Sequence, residues 1–176
     1  MMKRIRIEGI KLSDELSQVN LLSHPRPQES LSRLCRILAK NRINMPFLSA
    51  TCVGRCTQAS CCVAMEDRAQ VKGLLDAEPD LKGHAEIIPS VGLLSVFPHQ
   101  ANLRILGLCL YALGGAGLPV RGMTSSLAPL TLVTDFECLD AAVAALEKHL
   151  ELPPNQRPIR AHVRVKQSSI SKEGES

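Results

Sequence analysis

The chain repeats itself. Leu21-Leu22-Ser23 returns as Leu93-Leu94-Ser95, and Leu34-Cys35-x-Ile37-Leu38 returns as Cys109-Leu110-x-Ala112-Leu113. Ile43-Asn44-Met45 matches Leu118-Pro119-Val120, and Ser49 matches Thr124. The offset drifts from 72 to 75 residues, which places a short insertion in the first loop of the second copy. Self-similarity at a fixed period means two copies of one supersecondary unit. Two such copies use almost all of the 176 residues and leave little chain for a catalytic domain.

Both copies read in one order. In the first, Gln18 to Ser23 is a predicted strand, broken by Pro25 and Pro27. Ser30 to Asn41 is a predicted helix, because Leu31, Leu34, Cys35 and Leu38 recur at helical spacing. Strands follow at Ile43 to Val53 and Gln58 to Met65, then a helix from Glu66 to Leu75 and a strand from Ala85 to Ile88. In the second copy the strand Val91 to Phe97 precedes a helix from Leu103 to Gly114. Strands at Leu118 to Ser125 and Leu130 to Thr134 lead to a helix from Asp135 to Leu150 and a last strand from Pro158 to Lys166. Each copy is βαββαβ, the ferredoxin-like split unit. The expected class is α+β, two such units in tandem, with antiparallel sheets and helices on one face. The expected boundaries are 1–89 and 90–167, with a polar tail at 168–176 and the final strand free to cross to the first sheet.

Composition removes several function classes. Aromatic residues make up 2% (Phe47, Phe97, Phe136 and Tyr111), too few for a base-stacking sheet. A net charge of +4 is too mild for a dedicated polyanion binder. The five bases and no acids between Pro153 and Lys172 read as solvent-facing charge on an edge strand. No nucleic acid and no membrane is therefore expected as a partner. The first residues lack an apolar core, so they do not read as a signal peptide. Seven cysteines, an odd number, suit a reducing compartment, and the cytoplasm is the expected location. Cys52, Cys56, Cys61 and Cys62 cluster in sequence, but not at C-x-x-C spacing, so they read as small buried hydrophobes rather than metal ligands. A metal or redox protein built on that cluster stands as a minor alternative. No nucleophile motif is present, so no enzymatic activity, catalytic residue or cofactor is expected. Helix Leu103–Leu113 carries only Arg104 as a charge, which calls for cover on two sides, by the first unit or by another subunit.

Several strings in this order resemble the paired ACT domains of aspartate kinase, in its regulatory region or small subunit. Ile7-Glu8-Gly9-Ile10-Lys11 is similar to the family's leading strand I-x-G-V-A. Ile37 to Asn44 is similar to its first-helix ending, Met123 to Thr131 to its I-S-T-S-E-I-x-I-S strand, and Phe136 to Glu147 to its second-helix string. The likeness runs from about Glu8 to Lys166 and does not include the kinase half or its K-F-G-G-T motif.

The resemblance implies a regulatory, allosteric module that binds a free amino acid where paired ACT units meet. The loop leading into the first helix of one unit would face the second strand of its neighbour. Carried onto this sequence, the candidate ligand-binding residues are Arg26, Gln28, Glu29, Ser49, Thr51 and Gln58 in the first copy. In the second they are His99, Gln100, Asn102, Thr124, Ser125 and Ser126. Hydroxyls and backbone N–H groups suit a carboxylate, and acceptors suit an ammonium. Arg26-Pro27-Gln28-Glu29 stands where the family often reads D-x-P-G, and Pro98 to Asn102 holds no acid. The resemblance implies lysine or threonine as effector, whereas a site lacking these acids favours a different or more acidic ligand, or none. A homodimer is expected, and a separately encoded enzyme chain is the further partner implied. The alternative is a ligand-free assembly subunit of a separately encoded amino-acid biosynthetic enzyme.

Overall fold

The structure, a computed structural model, describes residues 4–22, 27–53, 56–98, 100 and 102–161. Its elements are β1 (Ile5–Arg6), β2 (Gly9–Ser13), β3 (Leu16–Leu21), α1 (Pro27–Lys40), β4 (Phe47–Val53), β5 (Cys56–Ala64) and α2 (Arg68–Ala77). Then come β6 (Ala85–Phe97), α3 (Leu103–Gly115), β7 (Gly122–Ser125), β8 (Leu130–Asp135), α4 (Leu139–Glu147), β9 (Leu150–Glu151) and β10 (Ile159–Ala161). Three-residue 3-10 turns, Met65–Asp67 and Phe136–Cys138, precede α2 and α4. No helix among the described residues is long and apolar enough to cross a membrane.

Eight strands form one continuous sheet, and β6 joins its halves. The two strands expected at Ala85 to Ile88 and Val91 to Phe97 are a single strand of 13 residues. Pro89 and Ser90, whose φ is 58°, do not end it; the register against β3 shifts instead between Leu16 and Gln18, as at a bulge. The first half is β6 (85–91), β3, β5 and β4 in spatial order, covered by α1 and α2. The second half is β2, β6 (91–97), β8 and β7, covered by α3 and α4.

The leading strand β2 thus pairs antiparallel with the second half of β6, through Gly9↔Phe97 and Leu12↔Leu94. It takes the place beside the unit's first strand that the last strand of a βαββαβ unit would take. The last strand, β10, lies one position further out, parallel to β2 through Ile159↔Lys11 and Ala161↔Ser13. Burial explains this order. Ile10 and Leu12 are 1% and 3% exposed, in one core with Leu94, Leu132, Leu113 and Leu146. Exposed Ile159 and Arg160 suit the rim. A short parallel pair, β1 with β9, holds the chain ahead of β2 against the end of α4.

Side chains alternate across each strand, so the sheet has three cores. Val19, Leu21, Cys61 and Val63 face Leu34, Leu38, Val71 and Leu75 of α1 and α2. Leu94, Val96, Leu130 and Leu132 face Ile105, Cys109, Leu139 and Val143 of α3 and α4. The inner stripe of α3 is buried there, so this helix packs on its own half and on α4. Gly92 lets α4 come this close: a Cβ there would lie 2.6 Å from a methyl of Leu139. The third core sits on the helix-free side, where Leu16, Phe47, Cys62, Val91, Leu93 and Val133 gather. There β4 and β7 meet, with Phe47 against Gly122.

Candidate functional site

The sheet's periodicity divides the twelve candidate residues into two groups. Ser49, Thr51 and Gln58 lie on β4 and β5, with Ser49 opposite Ser60 and Thr51 opposite Gln58. They share the face of Phe47 and Cys62, which carries no helix. Thr124 lies on the same side of the second half. It stands opposite Thr131, whose hydroxyl is 2.9 Å from that of Ser95.

The other group sits at helix starts. Glu29 is exposed in the first turn of α1, where a carboxylate meets the positive end of the helix dipole. Gln28 lies in the same turn. Arg26 and His99 lie outside the described residues. In the second half a compact arrangement forms. The Asn102 side chain caps α3 by accepting the Arg104 N–H at 2.9 Å. The Gln100 N–H donates to the Leu127 carbonyl at 2.8 Å, with Gln100 at a φ of 51°. This bond ties the loop before α3 to the turn after β7. Ser126 closes that turn: its hydroxyl and its N–H reach the Pro129 carbonyl at 3.1 and 3.0 Å. Ser125 is exposed at the end of β7, opposite Leu130. Gln100, Asn102, Ser125 and Ser126 therefore form one exposed polar rim around the α3 N-terminus.

One polar cluster escaped the sequence reading. Gln18 is fully buried, and its amide nitrogen donates to the Ser60 hydroxyl at 2.6 Å and to the Asn20 side-chain oxygen at 3.1 Å. The same nitrogen reaches the Arg121 carbonyl at 3.1 Å and so bridges the two halves. Its Oε1 finds no partner. Arg121 in turn forks onto both carboxylate oxygens of Asp135, with Nη2 to Oδ2 at 3.2 Å. That hydrogen bond is the main cause that raises the Arg121 pKa. The available signal was polarity at every second position: Gln18 and Asn20 on one strand, Ser60 on its neighbour.

Cys61, Cys62 and Cys109 are buried thiols. Cys61 faces the first helical core and Cys62 the helix-free core. Burial pushes both up to about 12, as it does Cys109. No group of three or more His, Cys, Asp or Glu gathers among the described residues.

No family model matches the sequence. No curated protein matches it either. Solved structures do match in fold. The ligand-free regulatory subunit of aspartate kinase from Thermus thermophilus superimposes with a TM-score of 0.72 at 17% identity, over 82% of this chain and 99% of that one. The fold is that of an aspartate kinase regulatory region. A structure of aspartokinase alpha and beta subunits gives 0.72 at 16% identity, over 81% of this chain and 97% of the matched chain. Aspartate kinase from Synechocystis gives 0.68 at 18% identity, over 86% of this chain but 28% of that enzyme. The two halves of the sheet thus share the fold of these regulatory subunits, and β6 runs through both.

Proposed function

We propose that this chain is a non-catalytic regulatory or sensory module that binds a free amino acid or a similar small ligand between paired ACT units, in the cytoplasm. One observation carries the reading: the Gln100–Leu127 hydrogen bond draws the start of α3 and the turn after β7 into one exposed polar rim. Backbone N–H groups at a helix start suit the ligand carboxylate. Gln100 and the Ser125 and Ser126 hydroxyls supply further donors and acceptors. Pairing with a second unit would close this rim into a pocket. Edge strand β4, FLSATCV, has no charge or proline to discourage such pairing, which supports a homodimer. With no acid in the loop ahead of α3, the ligand's side chain is not expected to be cationic.

The test is calorimetric titration of the purified chain with each free amino acid, beside a thermal-shift screen. One amino acid is expected to bind saturably and to raise the melting temperature by mass action. Binding should weaken in Ser125→Ala and Gln100→Ala. A folded chain that binds none of the panel, alone or as a dimer, overturns the reading.

A second reading has its own support. Leu103 and Tyr111 on α3 are 77% and 69% exposed, and Leu110 also faces out. Such a face suits assembly with a separately encoded enzyme chain. Retention of a catalytic chain with no response to any amino acid would favour it.

A further inference from the structure

The two ACT units treat their fourth strand differently. In the second unit that position is held by β2, whose outer edge is covered by β10. The covering strand is also fixed from the helix layer, because Arg160 Nη2 donates to Asp140 Oδ1 of α4 at 2.6 Å. In the first unit the fourth strand is the start of β6. One edge of this segment pairs with β3 from Ala85 to Val91. On the other edge β8 pairs only from Val91 to Val96. Among the described residues, no strand covers Ala85 to Ser90 on that side.

The helices correspond as well. Both α2 and α4 follow a three-residue 3-10 turn directly after the third strand of their unit. On that match Asp140 of α4 corresponds to Ala69 of α2, and the acid that holds β10 is absent. Arg68 and Lys72 flank the place instead. Between α2 and the uncovered edge runs an open groove of about 480 Å³. Leu75, Ile87 and Pro89 give it apolar walls, and Arg68, Lys72 and Asp76 its charged rim. Glu86 alternates to the other face of β6, within electrostatic reach of Arg121.

We propose that this groove takes an extended acidic segment of another polypeptide, added parallel to β6 along Ala85 to Ser90 as β10 is added to β2. Backbone groups of Ala85 to Ile88 on the open edge would pair with the segment, and Pro89, which has no N–H to give, would limit the pairing beyond them. Apolar side chains at alternate positions would face Leu75 and Ile87. An acidic residue two positions along, on the same face of the segment, would meet Arg68 and Lys72, the reverse of the Arg160–Asp140 polarity. Asp76, one turn beyond Lys72, would repel a second acid at that end and fix the register. This surface is separate from the polar rim at α3, so its occupancy does not depend on an amino-acid ligand.

The test uses the full chain and labelled nine-residue peptides that alternate Val and Thr with Val at both ends, so that the central residue shares the Val face. Their central residue is Glu or Lys, and a third peptide carries two prolines. Fluorescence anisotropy at low salt reads affinity, and amide exchange reads the location. The Glu peptide is expected to bind on the order of tenfold more tightly than the Lys peptide, with steering by charge. The proline peptide should not bind, and exchange should slow within 85–90. Arg68→Glu with Lys72→Glu should reverse the ranking. Lys72→Gln, at an exposed position, should shrink it if the double variant melts early. Equal binding of the Glu and Lys peptides overturns the proposal. So does no binding, displacement by free glutamate, or a ranking that survives the charge reversal.

Discussion

The two halves of the sheet share one plan, but the chain finishes them differently. The second is completed by segments from both ends of the described chain. Strand β2 fills its fourth-strand position, β10 covers β2, and the β1–β9 pair ties the start of the chain to the end of α4. The first unit is completed only by β6, which then runs on into the second. At the fourth-strand position, among the described residues, one unit therefore has its edge covered by β10 and the other keeps it open at the start of β6, while β4 in the first and β7 in the second are edge strands. The difference teaches that a repeated sequence need not give two equivalent surfaces. Chain connectivity decides which fourth strand is covered and which keeps an open edge.

Alkaline pH should produce the largest contrast. Cys61 and Cys62 of the first unit and Cys109 of the second are pushed up to about 12 from 9.0 by burial. Between those values the folded chain holds protons that the unfolded chain has lost. The stabilisation is complete below about pH 9 and is lost as pH rises toward 12. Melting temperature should fall across that window. Cys61→Val with Cys62→Val should remove more of the pH dependence than Cys109→Val, and equal effects would break the contrast.

Next come the cores. Leu34→Ala in the first unit and Leu132→Ala in the second each remove a side chain that is at most 1% exposed. Each should cost about 2–5 kcal/mol in urea unfolding. Because β6 and the helix-free core belong to both units, either variant should still unfold in one transition. Two separated transitions would show that the units fold independently.

Gly92→Ala probes the joint between sheet and α4. Its Cβ would press on Leu139, and a loss of about 1–3 kcal/mol is expected. Gly73→Ala in α2, where a Cβ meets nothing within 4 Å, should be neutral or slightly stabilising. A small loss is expected at the α3 cap, where Asn102→Ala should cost about 1 kcal/mol. Any change in ligand affinity should exceed what that loss alone explains.

Much of the fold was legible because both periodicities are clear. The Leu31–Leu38 and Leu139–Leu146 stripes marked helices α1 and α4, although Asp135 ends β8 and Leu150, expected in the helix, lies on β9, and βαββαβ order followed from the repeat. The place of β2 was not legible, because Ile10 and Leu12 alternate in a way that suits either half of the sheet. Pro89-Ser90 read as a strand end, whereas the pairing with β3 and β8 on either side carries β6 through it. For the site, residue types alone could not assign faces. Thr124 and Ser125 are neighbours in sequence and fall on opposite sides of β7. Gln18 was missed because the alternating polarity of Gln18 and Asn20 on β3 does not by itself name the partners that come from β5 and from Arg121.

The most direct test of the ligand reading is amide hydrogen exchange of the whole chain, with and without saturating free amino acid of the type that raises its melting temperature. Protection is expected at 102–106 and 124–127, around the α3 N-terminus, with no change at 85–90. Protection confined to other segments, or no amino acid that changes exchange anywhere in a folded chain, would contradict it.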